Sequence, residues 1–240
     1  MNRKHLLEIS VENLEAALAA ERGSADRIEL CGDLSAGGIT PSTELMRAVR
    51  ARLRIPIFAM IRPRAGDFVY SGAEFSAMRR SIADAKEAGM DGVVLGILTE
   101  DRRVDIERTR ELIEFAKPMR VTYHRAFDEA ADLRQALEDV IQSGAKRILT
   151  SGGAKSALEG AAVLTRLIET AGDRIVIVPG AGISAANVHL IAHRTKAREF
   201  HSGLSTVLPY GRHEYKRFEE EVRKLAGQLA LSSAVQDPSG

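Results

Sequence analysis

Arg120-Val121-Thr122-Tyr123-His124-Arg125-Ala126-Phe127-Asp128 sets a short alternating apolar run directly against a cluster of polar groups. Val121 and Tyr123 share one face of an extended chain, Thr122 and His124 the other, because a strand has a period of two. The polar groups Arg125 and Asp128 follow where the strand gives way to a loop. A histidine at such a strand end can donate, accept or bind metal near neutral pH.

The layout recurs. Leu6–Ser10, Arg27–Cys31, Pro56–Arg62, Gly92–Leu98, Arg147–Thr150, Arg174–Val178 and Arg198–His201 are further short aliphatic or β-branched runs. Amphipathic segments separate them: 11–21, 42–52, 74–88, 105–116, 132–142, 156–170, 184–192 and the charged 214–229. Strand and helix alternate throughout. Gly23, Gly89, Gly144 and Gly172 stand where left-handed helix caps are wanted, and Ser42, Ser156 and Ser184 stand at expected N-caps. Eight βα units with no linker-like shift in composition predict an α/β fold, a (β/α)8 TIM-type barrel in a single domain over residues 1–230. A doubly wound open sheet is the rival, and no strand is followed by its Gly-x-Gly-x-x-Gly turn. Residues 231–240 lose periodicity and read as a flexible tail.

The 240 residues are 45% hydrophobic and 28% charged, with a formal charge of +1 and interspersed signs. That composition suits a globular protein and offers no basic stripe for nucleic acid. No apolar run reaches the about 20 residues that a membrane span needs. The single cysteine, Cys31, excludes an intrachain disulfide and suits a reducing compartment, so a cytoplasmic location is expected.

Strand phase turns Glu8 and Ser10, Glu29 and Cys31, Thr122 and His124, and Glu199 and His201 toward the barrel interior. The third strand sends Phe58, Met60 and Arg62 inward, and the sixth offers Thr150. Glu8, Glu29, Glu199 and Arg62 then share one arc. Crowded carboxylates raise one another's pKa values and are enriched at functional sites. Glu8, Glu29, His124, Asp128 and His201 are the candidate catalytic groups. The structural alternative is a salt-bridge network with Arg62 and Arg125 filling the barrel.

Candidate anion-binding groups lie on the following loops. Arg62 and Arg64 flank Pro63 and can clamp a carboxylate or phosphate, with Arg125 as a third cation. Gly152 and Gly153, then Gly180, Gly182 and Ser184, lie on late glycine-rich loops of the kind that cradle phosphate with backbone N–H groups. Glycine needed only for tight turns is the alternative. His189 and His193 lie one helical turn apart without the intervening glutamate of a zinc-protease motif, and read as an exposed helix face.

Ile28-Glu29-Leu30-Cys31, Gly37-Gly38 with Thr40-Pro41-Ser42, Met60 to Tyr70, Tyr123 to Asp128, Leu149 to Gly153 and Glu199-Phe200-His201-Ser202, in this order, resemble the CutC family of copper homeostasis proteins. The resemblance covers about residues 6–202. It implies a cytosolic (β/α)8 barrel, often a homo-oligomer, and a role in copper handling with Cu(I) as the metal. Cys31 and Met60 are the candidate metal ligands, since Cu(I) prefers sulfur. Family members commonly carry a second cysteine at the position of Ser10, so a two-thiol site is not available here. Two functions are thus expected: Cu(I) binding in copper homeostasis, or an enzyme acting on an anionic or phosphorylated small molecule at the C-terminal face of the barrel.

Overall fold

A computed structural model describes residues 5–206, 208 and 214–234. The elements alternate as β1 (Leu6–Val11), α1 (Leu14–Arg22), β2 (Arg27–Leu30), α2 (Thr43–Arg50), β3 (Ile57–Met60), α3 (Gly72–Glu87), β4 (Gly92–Leu95), α4 (Ile106–Ala116), β5 (Arg120–Tyr123), α5 (Leu133–Ser143), β6 (Arg147–Thr150), α6 (Ala161–Ala171), β7 (Val176–Pro179), α7 (Val188–Thr195), β8 (Glu199–Ser202) and α8 (Tyr215–Ala234). A short 3-10 helix, Arg125–Glu129, follows β5.

The strands are parallel and ordered β7-β6-β5-β4-β3-β2-β1-β8. Consecutive order with helical crossovers is the (β/α)8 barrel that the sequence predicts. β7 and β8 close the ring by proximity: a methyl added at Gly180 would stand 3.6 Å from His201 Cβ. Leu7, Ile9, Ile28, Leu30, Ile57, Tyr123 and Phe200 face the helices and belong to the main apolar core. Tyr123 is wholly buried there, and its hydroxyl donates to the Ile97 carbonyl at 2.7 Å.

Several local signals take a different form from the expected one. Ser42 caps α2 and accepts from Leu45 N, and Gly144 ends α5 in the left-handed region at φ 97°. Gly23, however, has φ −73°, and Ser24 takes the positive φ of 75°. Gly23 serves a packing role instead: a Cβ there would lie 2.6 Å from Val222 Cβ on α8. Ser156 and Ser184 sit in turns ahead of α6 and α7, whose N-cap positions are Gly160 and Asn187. Serine hydroxyls stabilise isolated turns by the same bonds that cap helices, which is why the two are confused in sequence.

α8 settles on its own barrel. His5 Nδ1 lies 3.2 Å from the Leu229 carbonyl oxygen, Arg22 pairs with Glu219 at 2.8 Å, and His189 Nδ1 lies 2.9 Å from Ser232 Oγ. His189 is therefore engaged with α8 rather than part of a bare His189–His193 face. The helix runs to Ala234, so residues 231–234 of the expected tail are helical. Residues 207, 209–213 and 235–240 lie outside the described residues. No helix among the described residues is long and apolar enough to cross a membrane.

Candidate functional site

The barrel interior is built in layers. At its floor, the strand register sets Glu8 beside both Arg27 and His201, and Leu6 beside Glu199. Arg27 donates from Nε to Glu8 and from a terminal nitrogen to Glu199 at 2.8 Å, while Arg147 donates to Glu199 at 3.0 Å. Phe58 packs against both arginines, with the guanidinium carbons 4.8 Å and 5.1 Å from its ring centre. Gly92 on β4 leaves room for that ring, since a Cβ there would approach it to 2.6 Å. The barrel is thus plugged by paired charges stacked on an aromatic ring.

The salt-bridge alternative is realised in part, with Arg27 and Arg147 in place of Arg62 and Arg125. Burial opposes the charge on Glu8, but Arg27 and His201 outweigh it and hold the carboxyl well below its ordinary range. Burial likewise disfavours the charged Arg27, and Glu8 and Glu199 more than restore it.

Above the plug, at the C-terminal ends of the strands, opens a cavity of about 480 Å³. Ser10, Glu29, Met60 and His201 line it from β1, β2, β3 and β8; Arg62, Phe68, His124 and Arg125 from the loops after β3 and β5; Leu149, Lys155, Ser156, Ala181, Gly182 and Gly203 from the late strands and loops. In barrel enzymes the C-terminal face carries the chemistry.

His201 links plug and cavity. Its Nδ1 is 2.7 Å from Glu8 Oε1 and its Nε2 is 3.9 Å from Glu29 Oε1. Burial disfavours the charged ring, but Glu29 and Glu8 overcome this and raise His201 above its ordinary value. Burial, aided by Glu8, raises Glu29 despite His201. Glu29 Oε1 is 3.5 Å from the Cys31 sulfur, whose S–H donates to it, and Glu29 Oε2 has no hydrogen-bond partner.

His124 is 2% exposed and its Nδ1 accepts from the Ala126 N–H at 3.2 Å. Its proton therefore sits on Nε2, which has no partner. Burial and the nearby Arg62 charge push this imidazole down to about 3, so it is neutral at physiological pH. Gly96 makes space for the ring: a Cβ there would lie 2.6 Å from His124 Nδ1. Phe68 packs on the same ring at 4.9 Å between centres.

Arg62 is 7% exposed and has no carboxylate partner among the described residues. Its terminal nitrogens donate to the carbonyls of Ala36, Gly37 and Gly38, each at 3.2 Å, and of Gly66 at 2.8 Å. Its Nε has no partner. The expected carboxylate arc around Arg62 is therefore replaced by a cage of carbonyls from two loops.

Other candidates move elsewhere. Arg64 lies off the cavity, held by Glu74 at 2.6 Å and Asp67 at 2.9 Å, because the first turn of α3 and its leading loop supply nearer anions. Asp128 also stands outside the cavity lining. It accepts from Thr150 Oγ1 (2.5 Å), Ser151 N (3.1 Å), Gly153 N (3.0 Å) and Arg125 Nε (2.8 Å). Gly153 N is thus spent on Asp128 and Gly152 N on Thr150 Oγ1 at 2.8 Å, so neither is free to cradle an anion. Gly180 N donates to the Thr150 carbonyl and Ser184 N to Asn187, which leaves Gly182 as the cavity-lining member of that expected set. Thr150 points to Asp128, and Leu149 takes the inward place expected for it.

Cys31 is wholly buried and packs with Leu34, Phe58, Met60 and Val94. Burial and Glu29 push its thiol well above the ordinary value, so it is kept protonated. Its sulfur and the Met60 methyl both border Gly38, at 3.1 Å and 3.6 Å from where a Cβ would be. Among His, Cys, Asp and Glu of the described residues, Glu8, Glu29 and His201 bring possible ligand atoms within 4.8 Å of one another. Each Glu8 oxygen also bonds a neighbour, His201 or Arg27, so a metal ion there would compete with an ion-pair network.

Sequence reasoning missed Arg27, Arg147 and Lys155. Two steps back from Glu29 along β2 is Arg27, so its inward direction was readable; its partners were not. Lys155 gave no signal beyond a lysine in a glycine-serine loop.

Comparison with known proteins agrees with this architecture. The CutC family model matches residues 5–206. A CutC protein of Xanthomonas campestris pv. campestris is 50% identical over 196 residues, 82% of either chain. The human copper homeostasis protein cutC homolog is 48% identical over 196 residues, 82% of this chain and 72% of its own. The crystal structure of the CutC protein of Streptococcus agalactiae superposes with a TM-score of 0.79 at 32% identity, covering 83% of this chain and 98% of that one. Phosphoribosylanthranilate isomerase of Thermotoga maritima, at 16% identity and a TM-score of 0.61, shares the fold alone. The chain belongs to the CutC family.

Proposed function

We propose that the cavity at the C-terminal face binds a small anionic molecule and acts on it as an enzyme. The observation that carries this reading is Arg62: a buried guanidinium in the cavity wall whose charge meets carbonyl dipoles and no carboxylate. An unpaired buried charge is costly, and an anionic ligand would offset it. Arg125 and Lys155 line the same cavity, so among the described residues three cations face the single carboxylate Glu29.

A second reading is the role in copper homeostasis that the human relative's name carries. Its support in this chain is the meeting of the Cys31 sulfur and Met60 at Gly38, a pair of soft donors that suits Cu(I). Against it stand the protonated thiol, already bonded to Glu29, and the hydroxyl of Ser10 in place of a second sulfur.

Calorimetric titration at low ionic strength separates the two. Inorganic phosphate is expected to bind the wild type, and Lys155→Ala, at an open loop position, to weaken it about tenfold, the loss of one charge-assisted contact. Anaerobic competition for Cu(I) forms the other arm. Cu(I) uptake abolished by Cys31→Ser, with phosphate not bound at all, would favour the copper reading and overturn the first.

A further inference from the structure

We propose that the substrate is an anionic carbonyl compound and that the reaction is proton transfer at the carbon beside its carbonyl, run by Glu29 and His124. This rests on the anionic-ligand reading above and adds a substrate class and a reaction to it.

Two unpartnered polar atoms belong to residues that line the same cavity from different strands, Glu29 on β2 and His124 at the end of β5. His124 Nε2 carries a proton by exclusion, because Nδ1 accepts the Ala126 N–H. Glu29 Oε2 has a lone acceptor lobe, because Oε1 serves Cys31. Both atoms are buried although their residues line the cavity, and each forfeits a hydrogen bond unless a group entering the cavity completes it. A neutral imidazole N–H is a suitable donor to a carbonyl oxygen that gains negative charge, and a desolvated carboxylate is a suitable base.

The cavity also has two ends. Glu29 and His201 line it from β2 and β8, whereas His124, Arg125 and Lys155 reach it from the ends of β5 and β6 across the ring. A molecule whose carbonyl group lies between Glu29 and His124, with its anionic group on the Arg125 and Lys155 side, matches that arrangement.

The step balances within the site. The C–H bond next to the carbonyl breaks, its proton passes to Glu29 Oε2, and the electron pair moves to the carbonyl oxygen, where His124 Nε2–H holds the enolate. Return of the proton to the neighbouring carbon, with the hydroxyl proton passed between the two oxygens through His124, gives the isomer. Return to the same carbon regenerates the substrate carrying a solvent hydrogen. His201, 3.9 Å from Glu29 and anchored by Glu8, is a positioning residue that orients the carboxyl and exchanges its proton.

The test uses the full chain in deuterium oxide with dihydroxyacetone phosphate, ribulose 5-phosphate and fructose 6-phosphate, followed by proton NMR. Protein-dependent loss of a carbon-bound hydrogen signal beside the carbonyl is expected for at least one of them. Glu29→Gln and His124→Gln should each slow it about 100-fold or more while binding persists. Glu29→Gln keeps the side-chain shape, and an unchanged melting temperature would establish that the variant is folded. Binding of these compounds without exchange above the buffer rate would overturn the proton-transfer proposal and leave the anionic site standing. Exchange unaffected by Glu29→Gln would overturn it as well. Failure of all three, and of inorganic phosphate, to bind would overturn both.

Discussion

Replacing Arg27 by methionine is expected to destabilise the protein by about 3–5 kcal/mol, the cost of breaking a buried ion pair from one side. Arg27 is 3% exposed and bridges Glu8, itself 1% exposed, to Glu199. Methionine fills much of the volume but leaves Glu8 facing His201 without its guanidinium. Urea unfolding should show a lower midpoint with an unchanged slope, since the surface exposed on unfolding is the same. A second variant isolates the charge: Arg27→Met with Glu8→Gln should recover part of the loss, because the stranded carboxylate has gone. The sign with pH follows from Glu8. Its folded pKa is depressed, so its stabilisation is complete above the ordinary value of 4.5 and lost as pH falls below it. The gap between wild type and Arg27→Met should therefore narrow in acid. A loss below about 1 kcal/mol at neutral pH would show that the plug is not what holds the barrel floor.

Asp128→Ala is expected to cost about 3 kcal/mol or more and to undo the loop after β6. The carboxylate is 7% exposed and organises Thr150, Ser151, Gly153 and Arg125. Without it, the Ser151 and Gly153 N–H groups lose their acceptor, at about 1–3 kcal/mol for the buried Ser151 and less for the exposed Gly153, whose N–H can turn to water. Amide hydrogen exchange at Ser151 and Gly153 should accelerate strongly while β1 to β3 stay protected. Phosphate binding should weaken too, because Lys155 is carried on that loop and Arg125 loses its anchor. Stability within about 0.5 kcal/mol of wild type, with exchange unchanged, would return Asp128 to the candidates for chemistry.

The barrel was legible because its signals are local. Alternation in Leu7-Glu8-Ile9-Ser10 and in Tyr123-His124 depends on a backbone period alone, and it placed Glu8, Glu29, His124 and His201 on the inner face correctly. It failed on β6, where counting from Thr150 chose the wrong phase and the hydroxyl turned to Asp128. The site was less legible because charges choose partners across the fold. Glu199 is paired with Arg27, 172 positions away, and with Arg147, 52 positions away. Nothing in the neighbouring sequence announces either. Arg64 and Asp128 show the reverse, since both look like site residues at strand ends and both are bonded within loop structure. Arg62 is the informative case. Its inward direction was readable, whereas the carbonyl cage that leaves its charge without a carboxylate was not.

The central claim, that neutral His124 and its Nε2 proton belong to a ligand site, is tested most directly by long-range NMR of the ¹⁵N-labelled imidazoles. His124 should show the Nε2–H tautomer and no titration between pH 5 and 8, as its depressed value of about 3 requires. Addition of ribulose 5-phosphate should then shift its Nε2 resonance and leave His193 unmoved. A His124 that titrates near its ordinary 6.5, or whose resonances ignore a bound anion, would contradict the account.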